Sequence, residues 1–192
     1  MNKKQLFVWA SPVLIIFLLA CSTLTGGGGV GENEAGGEEN EIEIIKEPIR
    51  QWASTASASS EYGSESWSAK QATGAPNTTE CADSVDAWAS LTYADGIEWL
   101  EVGFATPVVP TQINIHETYY PGQVVTVEVR DESGNLQTVW QGEAYVESQC
   151  PRVFTVDVTG IDYKVTSVKI SLDQSAANYW GELDAVELVG TP

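Results

Sequence analysis

From residue 113 onward the chain repeats one pattern: apolar side chains at every second position, in short runs separated by turn residues. Ile113 and Ile115 alternate with Asn114 and His116. Val125, Val127 and Val129 alternate with Thr126, Glu128 and Arg130. Phe154, Val156 and Val158, then Val168, Ile170 and Leu172, then Val186 and Leu188 repeat it. A period of two is that of a strand with one buried and one wet face. Pro121-Gly122, Ser133-Gly134-Asn135, Gly160 and Gly181 supply the punctuation. A spacing of about ten residues suits antiparallel strands packed as a sandwich. A parallel sheet needs long crossover helices, and the one helical candidate, Trp67 to Ala72, is cut short by Gly74 and Pro76. The pattern predicts a single all-β antiparallel domain over 48–192, with Trp52, Trp88 and Trp99 in its core and Trp140 closing a strand.

The N-terminal part is different material. Lys3 and Lys4 precede an apolar stretch, Leu6 to Ala20, broken only by Ser11 and Pro12. It is shorter than the roughly 20 apolar residues a spanning helix requires and reads as a signal peptide over 1–20. Its end, Leu18-Leu19-Ala20-Cys21, resembles the lipobox of bacterial lipoproteins, with Leu19 a less usual choice. That resemblance implies lipidation of Cys21, a membrane partner, and a place in the cell envelope facing away from the cytoplasm. A plain secretory signal followed by a chance Cys is the alternative. Residues 21–47 then read as a flexible tether: Gly26 to Gly29, Gly31, Gly36 and Gly37 with seven Glu against Lys46. Such a segment cannot bury enough apolar surface to offset its ordering entropy. Gly26 to Gly31 formally fits G-x-G-x-x-G, but without a strand before it and a helix after it the motif carries no dinucleotide site.

Charge excludes further classes. The chain has 27 acidic and 9 basic side chains, a net −18, and residues 48–192 alone carry 20 acids against 6 bases. Nucleic-acid affinity rests on cations that neutralise phosphates, so none is expected here. One histidine rules out a site built from several His ligands. It is His116, on the face opposite Ile113 and Ile115, and it reads as an exposed sheet residue. No G-x-S-x-G occurs, and no carboxylate pair is singled out by its surroundings, so a catalytic site is not expected. Cys81 and Cys150 remain after Cys21. In an exported chain such a pair reads as a disulfide, two free thiols being the alternative. Asn77-Thr78-Thr79 fits a glycosylation acceptor, which a bacterial lipoprotein would have little use for.

The order of short motifs along the domain carries a resemblance. Ala56-Ser57-Ala58-Ser59-Ser60-Glu61-Tyr62 leads into Trp67-Ser68-Ala69-Lys70-Gln71-Ala72-Thr73-Gly74. Ala87-Trp88-Ala89-Ser90, Trp99-Leu100-Glu101-Val102, Ile113-Asn114-Ile115 and Val127-Glu128-Val129 follow, and Asp184-Ala185-Val186-Glu187-Leu188 closes the series. Together they resemble the discoidin, or coagulation-factor type C, domains of the galactose-binding-like sandwiches, especially the scarf-like branch found in pappalysins. The resemblance covers nearly all of 50–190. It implies a jelly-roll sandwich, ligand-binding loops at one end, and often a structural calcium ion. The calcium positions it implies fall on Thr73 and Asn77 in the first loop and on Glu182 and Asp184 entering the last strand. Thr73-Gly74 stands where many relatives have Asp-Gly. Asp184 shares the parity of Val186 and Leu188, so it points inward and needs a partner; a cation or backbone amides would serve.

Seven Trp and seven Tyr against four Phe favour rings that are apolar on the face and polar at the rim. Those in loops, where exposed aromatics mark binding, are Tyr62, Trp67, Tyr119, Tyr120, Tyr179 and Trp180, with Asn178 beside the last two. Two consecutive Tyr on an extended chain cannot both face inward. These residues are the candidate ligand contacts. The expectation is a non-catalytic, monomeric display domain for a carbohydrate or other extracellular ligand. The alternative is an envelope adhesion or assembly module that grips a surface protein and no sugar.

Overall fold

The computed structural model describes residues 46–94 and 96–192. The signal peptide, Cys21 and nearly all of the tether lie outside the described residues.

Eight antiparallel strands form two sheets that share one long strand. β1 is Ile49–Trp52, β2 Thr55–Ala58, β3 Ile97–Tyr119, β4 Val124–Asp131, β5 Leu136–Gln141, β6 Arg152–Asp157, β7 Val165–Asp173 and β8 Glu182–Thr191. The first half of β3, up to Gly103, pairs β2 on one edge and β7 on the other, and β4 and β5 extend that sheet. The second half, from Val109, pairs β8 and β6, and β1 adds beyond β8. Pro107 and Pro110 lie in the transfer region, where register shifts separate Gly103 from Val108 and Pro110 from Gln112. Proline offers no ladder donor and is confined to such breaks. The chain therefore leaves one sheet and enters the other without a turn.

The predicted apolar positions are buried, but β8 has no wet face: nine of its ten residues, Glu182 and Glu187 among them, are buried. Ile113, Ile115, Val168, Ile170, Val186 and Leu188 are fully buried, and Leu172, Val156 and Val158 nearly so. Each fully buried aliphatic side chain contributes roughly 1.5–3 kcal/mol, and these come from both sheets. One run is corrected: Val124, not Val125, is buried at the start of β4, because the register against β7 shifts between Val124 and Thr126. The bulge reverses parity for one step. The tryptophan expectation is also corrected. Trp88 is fully buried, but Trp52 packs its edge on half-buried His116, at 5.4 Å between centroids. Trp99 lies under the Lys169 ammonium, 4.9 Å away. Both serve the outer sheet faces. The helical candidate shrinks to a 3-10 turn, Ala69–Ala72, because Trp67 has a left-handed φ of 53° and cannot begin a helix. Trp140 does close β5, edge-on to Phe154 at 4.9 Å.

Cys81 and Cys150 form a disulfide that spans 69 residues.

Candidate functional site, an aromatic band at one end of the sandwich

The long excursion between β2 and β3 is held by its own buried segment, Trp88 to Ser90. Trp88 and Leu183 exchange two backbone hydrogen bonds, at 2.8 and 3.1 Å. The Trp88 indole N–H donates to the Ser60 carbonyl at 3.0 Å. From this anchor the neighbouring loops take their positions. The Tyr62 amide donates to the Ala89 carbonyl, 2.9 Å, and the Ala89 amide to the Trp67 carbonyl, 3.2 Å. The Trp180 indole donates to the Ser90 carbonyl at 3.0 Å. Buried Gln174 completes the support: its amide donates to Ser90 Oγ at 2.8 Å and its oxygen accepts the Gly181 amide.

Three loops thus bring their rings together. Tyr62 meets Trp67 at 5.4 Å and Trp180 at 5.7 Å, both edge to face. Trp180 meets Tyr93 at 4.7 Å and Tyr179 at 5.4 Å. Tyr179 stacks on Tyr120 at 4.7 Å, and Tyr120 meets Tyr119 at 4.8 Å. The separations lie in the range favoured for aromatic pairs. The band is continuous from Trp67 to Tyr119.

All six ring positions expected from the sequence, Tyr62, Trp67, Tyr119, Tyr120, Tyr179 and Trp180, belong to this band. Asn178 stands beside the band: it is exposed with a left-handed φ of 50°, and its backbone N–H donates to the Gln174 carbonyl. The Tyr119-Tyr120 pair differs from expectation. Both rings are half-buried in the band, since Tyr120 has a φ of 41° and the chain there is not extended. Tyr93 is a member the sequence reading missed. It lies in a loop without periodicity, and only its type gave a signal.

A cleft opens beside the band, lined by Tyr62, Trp67, Trp180, Ala89, Asp83 and Glu182. Asp83, which the sequence reading also missed, accepts the Trp67 indole N–H at 2.9 Å. Glu182 is 2% exposed, and one of its oxygens accepts the Ser84 amide at 3.0 Å. Burial, with neighbouring Asp83 adding to it, pushes Glu182 from the ordinary 4.5 up to about 8. A carboxyl with a raised folded pKa binds protons more tightly in the folded state, so it costs stability as pH rises, from about 4.5 until about 8. Glu182→Gln is therefore expected to stabilise the protein by about 1–3 kcal/mol near pH 9 and to change little near pH 5. Melting curves of both proteins across that range check it; parallel profiles would refute it.

The four positions implied for calcium already hold hydrogen bonds within the protein. Asp184 is 1% exposed, and its oxygens accept the Asn77 amide at 3.1 Å and the Thr78 amide at 3.1 Å. Burial pushes its pKa up, and the two amides and His116 pull it back. Thr73 Oγ1 donates to the Lys70 carbonyl at 2.7 Å and closes the 3-10 turn. The Asn77 side-chain oxygen accepts the Thr78 hydroxyl. Glu182 faces the aromatic cleft. Calcium takes six to eight oxygens; among the described residues no group of three or more His, Cys, Asp or Glu gathers here, so an ion at these positions would draw on backbone carbonyls and on Thr73 and Asn77 as well. The inward parity of Asp184 is as expected, and amides answer it.

Comparison with known proteins follows the same lines. Residues 44–192 match the family model described as Pappalysin-1, SD scarf domain, C-terminal. A curated relative, F-box/LRR-repeat protein 4 of Bos taurus, is 28% identical over 108 residues, covering 48% of this chain and 17% of that protein. The chain thus spans about a sixth of the length of that relative. Among solved structures, chitosan-binding module 1 of a Paenibacillus sp. IK-5 chitosanase/glucanase superposes with a TM-score of 0.55. The two share 21% identity, over 71% of this chain and 94% of that one. The family 32 carbohydrate-binding module of Clostridium perfringens NanJ, solved with galactose, superposes with a TM-score of 0.52. It is 18% identical, over 73% of this chain and 99% of that one. At these identities the likeness establishes the fold: an all-β jelly-roll of the discoidin type.

Proposed function

The chain belongs to the pappalysin SD scarf domain family, and on that footing we propose that its domain is a non-catalytic module that binds carbohydrate through the aromatic end of the sandwich. The carrying observation is the band from Trp67 to Tyr119 with the cleft beside it. Sugar rings present C–H faces that pack on aromatic faces, and their hydroxyls need the convergent polar groups that such sites supply. Similarly folded domains bind chitosan and galactose, which supports the class of ligand.

A non-catalytic role fits the acid groups. Paired glycosidase carboxyls stand about 5–5.5 Å apart or farther, with the scissile bond between them. Asp83 and Glu182 are within reach of a shared hydrogen bond, too close to hold that bond. His116 is half-buried against Trp52.

An array of glycans probed with the full-length protein, with calcium and with chelator, tests the reading. Tyr62 is 52% exposed and its ring makes no hydrogen bond, so Tyr62→Ala should fold normally and weaken binding at least about tenfold, as a central aromatic contact does. Trp180→Ala should do the same, while Tyr163→Ala, exposed and outside the band, should not. Binding that survives both band variants would move the site elsewhere. An array with no binder would favour a protein partner.

The proposed setting is a lipid-anchored display at the cell envelope, resting on the pattern Leu18-Leu19-Ala20-Cys21. Cys21→Ser is expected to shift the protein from the membrane fraction to the soluble one, since acyl chains supply the anchoring energy. Unchanged fractionation would refute it.

A further inference from the structure

We infer that the ligand carries an uncharged apolar aglycone, an alkyl or aryl group joined to its sugar, and that this group fills a second hollow at the Tyr119-Tyr120 end of the band. The inference rests on the glycan reading above and adds the chemistry of the part joined to the sugar.

The two ends of the band differ. At the Trp67 end, the cleft has the carboxyl groups of Asp83 and Glu182 in its lining. At the far end lies a separate hollow of about 320 Å³, walled by Tyr119, Tyr120, Pro121, Val146 and the Cys81–Cys150 bridge. That volume is within the range of small-ligand pockets. The two other side chains of its lining, Glu147 and Ser148, are spent on the protein. The Glu147 carboxylate accepts the Arg152 guanidinium at 3.0 Å, the Tyr145 hydroxyl at 3.1 Å and the Gln149 amide at 3.0 Å, and the Ser148 hydroxyl donates to it at 3.4 Å. A sugar ring buried there would find few partners for its hydroxyls. An apolar group needs none.

The walls are fixed by bonds of the protein's own. The Tyr145 and Glu147 amides donate to the Gly122 and Pro121 carbonyls, at 2.9 and 3.1 Å, which seats the segment carrying Val146 beside the turn. Val146 is nonetheless 62% exposed, and a large apolar side chain left in water at an apolar hollow marks a contact surface. A protein side chain would fit such a hollow too. Continuity decides for a group joined to sugar, because Tyr119 and Tyr120 belong both to the band and to the hollow. One ligand spans them, with its sugar on the rings and its apolar part beyond. The excess of acids over bases in the domain, 20 against 6, repels anionic groups, so the apolar part carries no negative charge.

Calorimetric titration of the full-length protein tests this with methyl and octyl β-glucoside and with methyl and octyl β-galactoside, all below the concentrations at which micelles form. Each buried CH₂ is worth about a fourfold gain in affinity. For at least one of the two sugars the octyl glycoside is expected to bind at least about tenfold tighter than the methyl one. Val146→Asp puts a charge into the wall and should erase that gain while leaving the methyl glycoside's affinity unchanged. Leu136→Asp, also at an exposed position but on β5 and outside the lining, should keep the gain. Tyr62→Ala should weaken both glycosides.

Methyl and octyl glycosides binding equally, in a Tyr62-dependent manner, would overturn the aglycone inference and keep the glycan reading. A gain that survives Val146→Asp would also overturn it, as adsorption elsewhere on the surface. Octyl glycosides that bind through Val146 but ignore Tyr62→Ala overturn it in favour of an apolar occupant without sugar, such as a protein side chain. No octyl glycoside binding at all overturns it whatever the array shows. The array alone decides the glycan reading.

Discussion

Replacing Cys81 and Cys150 together by Ser is expected to lower the melting temperature by about 8–16 °C. The bridge spans 69 residues. Opening a loop of that length returns roughly 4 kcal/mol of conformational entropy to the unfolded chain. For a domain of this size each kcal/mol moves the midpoint by about 2–4 °C. The local arrangement adds to the effect. Cys81 sits on the excursion that carries Asp83 and Ser84, and among the described residues no strand runs between Ala72 and Ile97. Its fastenings on either side of Cys81 are the bonds of Asn77 and Thr78 to Asp184 and of Ser84 to Glu182. Without the bridge those bonds must hold the floor of the cleft alone, so affinity for any ligand there should fall as well. Thermal melts of the double variant and of the reduced wild type should agree. A fall of less than about 3 °C in both would mean that the unfolded chain is already compact around this loop.

Much of this architecture is legible in the chain, and the parts that are not share a physical cause. Period-two runs identify β6, β7 and β8 and the second half of β3 because apolar side chains recur at every second position, although β8, between β1 and β3, is buried on both faces. Parity misplaces Val125, where a bulge inserts a step. It also misplaces Trp52 and Trp99, which are large and apolar yet cover outer faces against His116 and Lys169. The site was half visible. Loop position and residue type pick out the rings at Tyr62, Trp67, Tyr119, Tyr120, Tyr179 and Trp180, because exposed aromatics in loops are costly without a use. Nothing local marks Tyr93, or tells that Tyr120 takes a left-handed conformation that turns two adjacent rings into one band. Asp83 is one of 20 acids in the domain. Its pairing with Glu182 joins positions about a hundred residues apart, which only the fold brings together. Asp184 shows the reverse case: alternation places it inside, but which partner answers it depends on the path of Asn77 and Thr78.

The largest single-site effect is expected at the buried ion pair behind the far end of the band. Glu117 is 2% exposed, and Arg152 is nearly as enclosed. One Glu117 oxygen accepts the Gly122 amide at 2.9 Å and the other accepts the Arg152 guanidinium. Arg152 also donates to the Tyr145 hydroxyl at 2.6 Å and to Glu147 at 3.0 Å. Removing Arg152 leaves Glu117 as an uncompensated buried charge, at a cost of about 3–5 kcal/mol, whereas removing Glu117 leaves Arg152 its Glu147 partner. Arg152→Ala should therefore lower the melting temperature by about 6–20 °C, and Glu117→Ala by less. The pair also shapes the turn that follows. Gly122 has a φ of 98°, and a Cβ there would lie 2.7 Å from the Tyr145 carbonyl oxygen. The turn admits no other residue, and the Glu117 carboxylate clamps its amide. Freed of that clamp, Tyr119 and Tyr120 lose their fixed place in the band, so ligands that reach this end should bind more weakly even to the folded fraction. A double replacement, Glu117→Leu with Arg152→Met, separates charge from packing. If desolvation of an orphaned charge dominates, the double variant is more stable than either single one, yet it fails to restore the turn. Additive losses would instead assign the cost to packing around Tyr145 and Phe154, which the guanidinium covers at 5.5 and 5.2 Å.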